Sequence, residues 1–134
     1  MTLIETFFLN ALRTALAGEV ERENVSLEAP SSTDWDGAPR VVVRATETER
    51  LRGQLNAALV RAEVEVATIA TTRDVAERIA GRARLAFDSP RSSAEPRIKA
   101  IALNSTSVGV VLENGVAVDA SAASLKYDVY FVES

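Results

Sequence analysis

The stretch Leu59–Ala70 limits this chain more than any other. Leu59, Arg61, Glu63, Glu65, Ala67 and Ile69 alternate with Val60, Ala62, Val64, Val66, Thr68 and Ala70. A strict period of two, one face apolar and the other charged at its centre, is the pattern of a half-buried β-strand. The run covers about 12 residues, or roughly 40 Å, about twice the common strand length. After Thr71-Thr72 the period changes, and Val75, Ile79, Ala83 and Ala86 recur at helical spacing. A helix from about Thr72 to Phe87 follows, introduced by Thr71-x-x-Asp74 and closed by Ser89-Pro90. A one-faced strand running into a one-faced helix implies a sheet with helices packed on one side.

At 134 residues the chain has room for one core, so all of it is expected to form a single domain. Hydrophobic residues at 47% and charged residues at 25% are ordinary for a globular fold. A net charge of −4 argues against a general nucleic-acid-binding surface, although such a surface can line a passage for DNA without gripping it. The chain has no cysteine and no histidine. Disulfides, thiolate nucleophiles, structural zinc sites and histidine bases are thereby excluded. Glu5 stands where a signal peptide would carry a base, and no run approaches the roughly 18 apolar residues of a membrane span. The expectation is synthesis as a soluble protein in the cytoplasm, with no membrane association.

Thr2–Ala17 reads as a first helix, with Thr2 and Glu5 as a capping box and Gly18 as its stop. Ile4, Phe8, Ala11 and Ala15, flanked by Leu3, Phe7, Leu12 and Leu16, make a broad apolar stripe facing a core. A charged connector, Glu19–Glu23, leads to a short strand at Val25-Ser26-Leu27. Pro30–Pro39 is a loop by its composition. Within it Trp35 is either a partner anchor or a ring folded back on the sheet edge, and Asp34 and Asp36 are turn formers. Arg40–Thr48 is a strand, apolar on both faces at its start and so central in the sheet. Glu49–Asn56 is a charged, Gly-broken connection, too irregular for a tight hairpin. Arg61, Glu63 and Glu65 suit either a solvated face opposite the helices or a guarded edge strand. Arg78 and Arg82 share one face of the second helix and are the candidate pair for an anion.

Beyond a linker at Pro90–Pro96, Ile98–Leu103 is a strand that Asn104-Ser105-Thr106-Ser107 turns into Val108–Leu112. Asn114-Gly115 signals a type I′ turn into Val116-Ala117-Val118. Leu125, Tyr127, Val129 and Phe131 mark a last strand. The expected class is α+β, a mainly antiparallel sheet of about four to six strands with two helices on one face. Gly-rich phosphate loops, metal-ligand clusters and nucleophile elbows are missing from the sequence. A serine nucleophile would have only Lys99 or Lys126 as its base. The chain is therefore expected not to be an enzyme, and to use no cofactor or metal.

Four segments carry a resemblance to a known family. They are the helix Ala11-Leu12-Arg13-Thr14-Ala15-Leu16-Ala17, the strand Arg40-Val41-Val42-Val43-Arg44, the run Val60–Thr68 into Thr72–Ala80, and the closing strand Leu125–Val132. Together they resemble the small tail terminator, or tail completion, proteins of long-tailed phages and gene transfer agents. The resemblance implies a structural virion protein at the head-proximal end of the tail. It would form a hexameric ring that caps the tail tube, ends its polymerisation and meets the head-completion or connector protein, while DNA passes through the lumen. A ring needs a heterologous interface. The residues expected to supply subunit or partner contacts are Trp35, Glu49, Arg50, Leu51, Arg52, Leu55, Arg61, Glu63 and Glu65. Two other expectations stay open: a head-tail connector or neck subunit docking on the portal side, and a small cytosolic domain binding an anion through Arg78 and Arg82.

Overall fold

The computed structural model describes residues 2–28, 35–54, 57–88, 95–113 and 116–133. Its elements are α1 (Thr2–Ala15), β1 (Val25–Ser26), β2 (Arg40–Gln54), β3 (Ala57–Ala70), α2 (Arg73–Asp88), β4 (Ile98–Glu113) and β5 (Val116–Glu133). The strands form one sheet in the order β1-β2-β3-β5-β4. Every long pair is antiparallel, and β1 alone runs parallel to its neighbour β2. The chain is thus α+β, as its two periodicities imply. The β3–α2–β4 unit is a crossover whose two parallel strands are held apart by β5, which enters between them.

The long strand found from sequence is the shortest of four. β3 has 14 residues, against 15, 16 and 18 for β2, β4 and β5. Three expectations are corrected here. The connection at Glu49–Gln54 is a continuation of β2, and Gln54 pairs with Ala57, so β2 and β3 form a hairpin. Leu55 and Asn56 lie outside the described residues. Asn104–Ser107 is not a turn but the middle of β4, where Ser105, Thr106 and Ser107 pair with Lys126, Leu125 and Ser124. Val116-Ala117-Val118 and Leu125–Phe131 belong to one strand, β5. Asn114-Gly115 lies outside the described residues, but the Glu113–Val116 pair flanks it. β3 stops pairing with β5 at Ala70–Ser121. Residues 116–120 of β5 therefore run past it with β4, an overhang of roughly 17 Å.

Both helices cover the same face. α1 buries Ile4, Phe8, Leu12 and Leu16 completely, one i, i+4 row, while Leu3, Phe7, Ala11 and Ala15 are half-buried beside it. Gly18 has φ +91°, and the Leu16 carbonyl accepts from the amides of Glu19 and Val20. A Cβ at Gly18 would meet nothing within 4 Å, so the left-handed backbone, not space, calls for glycine. Arg13 then donates twice to the Val25 carbonyl, at 3.2 and 2.8 Å, tying α1 to β1.

α2 buries Ala76, Ile79, Ala80, Ala83 and Phe87 over β3 and β5. Its cap is Thr72, one residue later than the Thr71 motif suggests: the Thr72 hydroxyl accepts from the Val75 amide at 3.3 Å. Ser89-Pro90 lies outside the described residues. Beneath the helices, Val60, Ala62, Val64 and Val66 of β3 and Leu125, Tyr127, Val129 and Phe131 of β5 form the sheet side of the core. Phe8 stacks on Phe87 with centroids 4.6 Å apart, and both rings meet Tyr127.

Two stability experiments follow from this core. Phe8→Ala removes the ring shared by both helices and should cost about 3–5 kcal/mol in urea unfolding. Thr68 is fully buried and its hydroxyl has no hydrogen-bond partner among the described residues. Thr68→Val keeps the shape and removes that stranded group, so it should raise stability by about 1 kcal/mol. A drop of similar size would show that the hydroxyl is satisfied.

Candidate interaction surface: an open sheet face and the two sheet edges

The face of the sheet away from the helices has no described element over it. Its centre is polar because each strand alternates there with the apolar side. The register sets residues of β2, β3 and β5 in rows. Arg44, Glu65 and Lys126 form one row, Thr46, Glu63 and Asp128 the next, and Glu49, Arg61 and Tyr130 the third. Glu65 stands between two cations and lies 4.0 Å from the Lys126 ammonium. Glu63 faces Asp128 directly, an unfavourable like-charge pair. Arg61 offsets it from the adjacent row.

The Arg61 guanidinium donates through Nε to Glu49 at 3.1 Å and through Nη1 to Asp128 at 3.3 Å. Asn104 Nδ2 donates to the other Asp128 oxygen at 3.2 Å. A ladder Glu49–Arg61–Asp128–Asn104 thus crosses β2, β3, β5 and β4. At the bulge between Glu47 and Glu49, the Thr48 hydroxyl donates to the Arg61 carbonyl at 2.9 Å. These pairs are partly solvated, and each contributes a few tenths of a kcal/mol to stability. Their effect is to hold long side chains flat against the face.

The expected contact residues divide accordingly. Arg61, Glu63 and Glu65 share this face, and β3 lies at the centre of the sheet, so the guarded-edge reading of them is overturned and the solvated-face reading holds. Glu49 and Arg50 are exposed on β2, Arg50 lying 3.3 Å from Glu47. Leu51 and Arg52 are described by backbone alone, within β2, and Leu55 lies outside the described residues. Trp35 is remote from that hairpin. It is half-buried, donating from Nε1 to the Ala38 carbonyl at 2.7 Å, so its indole closes its own loop. Asp36 accepts from the Ala38 amide at 3.0 Å, as expected of a turn former; Asp34 lies outside the described residues.

Arg78 and Arg82 both point at Glu19, at 3.8 and 3.6 Å, and Arg82 also donates to the Ala15 carbonyl. Their shared carboxylate gives them a local role, fastening α2 to the end of α1. A concavity of about 810 Å³ runs beside α1, lined by Leu3, Phe7, Ala11 and Ala86 together with Glu95 and Arg97. The Arg97 side chain, donating to Glu95, holds that carboxyl below the usual range. Among the described residues, no group of three or more His, Cys, Asp or Glu side chains is placed to hold a metal. No helix there is long and apolar enough to cross a membrane.

Sequence reasoning missed the sheet edges. β4 closes one side of the sheet. Val108 and Val110 stand 40% and 65% exposed on it, past the reach of the helices. On the other side, β1 pairs only with Val41 and Val42, and no described strand pairs with that side of β2 from Val43 to Gln54. The missed signal is the uncharged run Ala100–Val111, read as two strands and a turn. Compared with known proteins, the chain matches no family model and no curated sequence.

The ladder makes a specific energetic claim. A double-mutant cycle on Arg61→Ala and Asp128→Ala should return a coupling of about 0.3–1 kcal/mol that shrinks in 1 M salt. A coupling above about 2 kcal/mol that ignores salt would mean a desolvated pair.

Proposed function

We propose that the chain is a structural subunit of a ring that closes a phage-type tail tube, a tail terminator. The observation that carries this reading is the excess of sheet. Four strands of 14 to 18 residues, about two to three times the usual length, are covered by two helices on one face only. No described element covers the other face, the outer side of β4, or the β2 edge beyond Val41-Val42, where β1 pairs. A sheet with two unlike edges is suited to a head-to-tail interface, which closes into a ring when the rotation allows. The polar face carries mixed charge with a slight acidic excess, Arg44, Arg61 and Lys126 standing against Glu49, Glu63, Glu65 and Asp128. With a net charge of −4 overall, such a subunit offers DNA a passage with few phosphate contacts.

In this reading the neighbours are further copies of the chain, the tube protein on one side and the head-side connector on the other. The place of action is the head-proximal end of the tail. The sequence resemblance and the layout α-β-β-β-α-β-β both support it. Arg78 and Arg82 favour the structural reading over an anion-binding domain, because Glu19 already occupies them.

Light scattering and negative-stain imaging of the purified protein provide the test. Rings of about six copies are expected, and immunogold labelling should mark the junction of head and tail. A strict monomer at high concentration, absent from particles, would end the proposal. Label on the portal side of the junction would instead favour a neck subunit.

A further inference from the structure

The two long edges of the sheet differ, and the register puts their free parts at the same height. Reading across the sheet, Arg44 is level with Glu65, Lys126 and Ser105, and Thr46 with Glu63, Asp128 and Ala102. Within the part of β2 that β1 leaves open, Val43 to Arg50 therefore lies level with the first part of β4, Ile98 to Thr106. We propose that these two segments pair, β4 of one copy with β2 of the next, so that neighbouring sheets become continuous. This rests on the ring reading and names its interface.

Three observations point the same way. The first is strand direction. Three antiparallel steps separate β2 from β4, so the two edges run in opposite senses. A copy placed beside the first in the same orientation then makes an antiparallel ladder, the pairing with the better hydrogen bonds. The second is the lack of protection on β4. From Ala100 to Thr106 it carries no charged residue and no proline, the usual devices that keep an edge single. Pairing irregularities at Ile98/Ala100 and Leu103/Ser105 are the only such device there. The third is complementarity. The β2 edge carries Arg44, Glu47, Glu49 and Arg50, all exposed. Opposite the small, uncharged side chains of β4 they keep their charged ends in water and meet no like charge. A two-fold β4–β4 pair would leave the β2 edge open; the β4–β2 pair covers both.

Hydrogen–deuterium exchange on the assembled protein tests this, with the same protein diluted to monomer as the reference. Amides should slow by about tenfold or more on assembly within both 100–106 and 44–50. The second arm is Ala102→Lys with Ser105→Lys, two exposed positions where added charge guards the edge and Ser105 is level with Arg44. This variant should keep its circular dichroism spectrum and urea midpoint and lose assembly. Rings in which neither segment slows would overturn the edge pairing and leave the ring standing. Slowing of β4 alone would mean a two-fold pair and overturn the β2 half. A protein that stays monomeric with both edges exchanging freely would overturn ring and edge together.

Discussion

Phe8, Phe87 and Tyr127 form the contact on which the rest of this structure depends. Phe8 comes from the middle of α1, Phe87 from the last turn of α2 and Tyr127 from the middle of β5, so the cluster joins elements from the two ends and the centre of the chain. The Phe8 and Phe87 rings stack at 27° with 4.6 Å between centroids, and Tyr127 meets Phe87 at 64° and 5.4 Å. Each ring buries well over a hundred square ångströms, and offset or edge contacts add to that burial. The small residues around them set how close α2 comes: Ala70, Ala76, Ala80 and Ala123 pack as a separate apolar cluster under its first half. Large rings anchor the helix at one end and alanines let it lie close to the sheet at the other.

With both helices committed to one face, the opposite face has to be compatible with water. The alternation along β3 and β5 does this without interrupting either strand, because one face takes Val, Leu and Phe while the other takes Arg, Glu, Lys and Asp. Two carboxylates placed opposite each other, Glu63 and Asp128, would weaken the centre of the sheet. Arg61 lies diagonally from Asp128 and reaches it. The face therefore gains little stability from its charges, and its side chains are positioned instead. Core burial supplies the stability of the fold, which leaves the surface free to specify neighbours.

The physics of burial explains which parts of this fold were legible in the sequence. β3, α1 and α2 showed plainly because each has one face in the core, and a buried face imposes a period. Gly18 was legible for the same kind of reason: only a left-handed residue ends α1 there. The second half of β2 was missed because its register shifts at Glu47/Glu49 and Arg50/Arg52 and Glu47–Arg50 are exposed, so no apolar alternation survives. The middle of β4 was missed because Asn104–Ser107 carries turn-forming residue types. At the edge of the sheet, β5 supplies the register through Lys126, Leu125 and Ser124, and the local preference is overridden. The ladder on the open face was half legible. Its Arg61–Glu49 and Arg61–Asp128 contacts join residues 12 and 67 positions apart, and no local pattern encodes such a pairing.

Edges of this length are themselves a constraint on the fold. A sheet of four long antiparallel strands has two exposed ladders of backbone groups, and natural proteins rarely leave these both long and unguarded. β2 is guarded by charge over Arg44–Arg50 and by β1 at Val41-Val42. β4 has neither between Ala100 and Thr106, and its serines, threonines and alanines present little to repel a neighbour. Side-chain chemistry thus makes one edge reluctant to meet its own kind and the other permissive. An assembly that grows by like-to-like contact would need each edge to accept its own kind. Two unlike edges, level with each other and opposite in sense, favour a contact that is repeated from copy to copy around an axis.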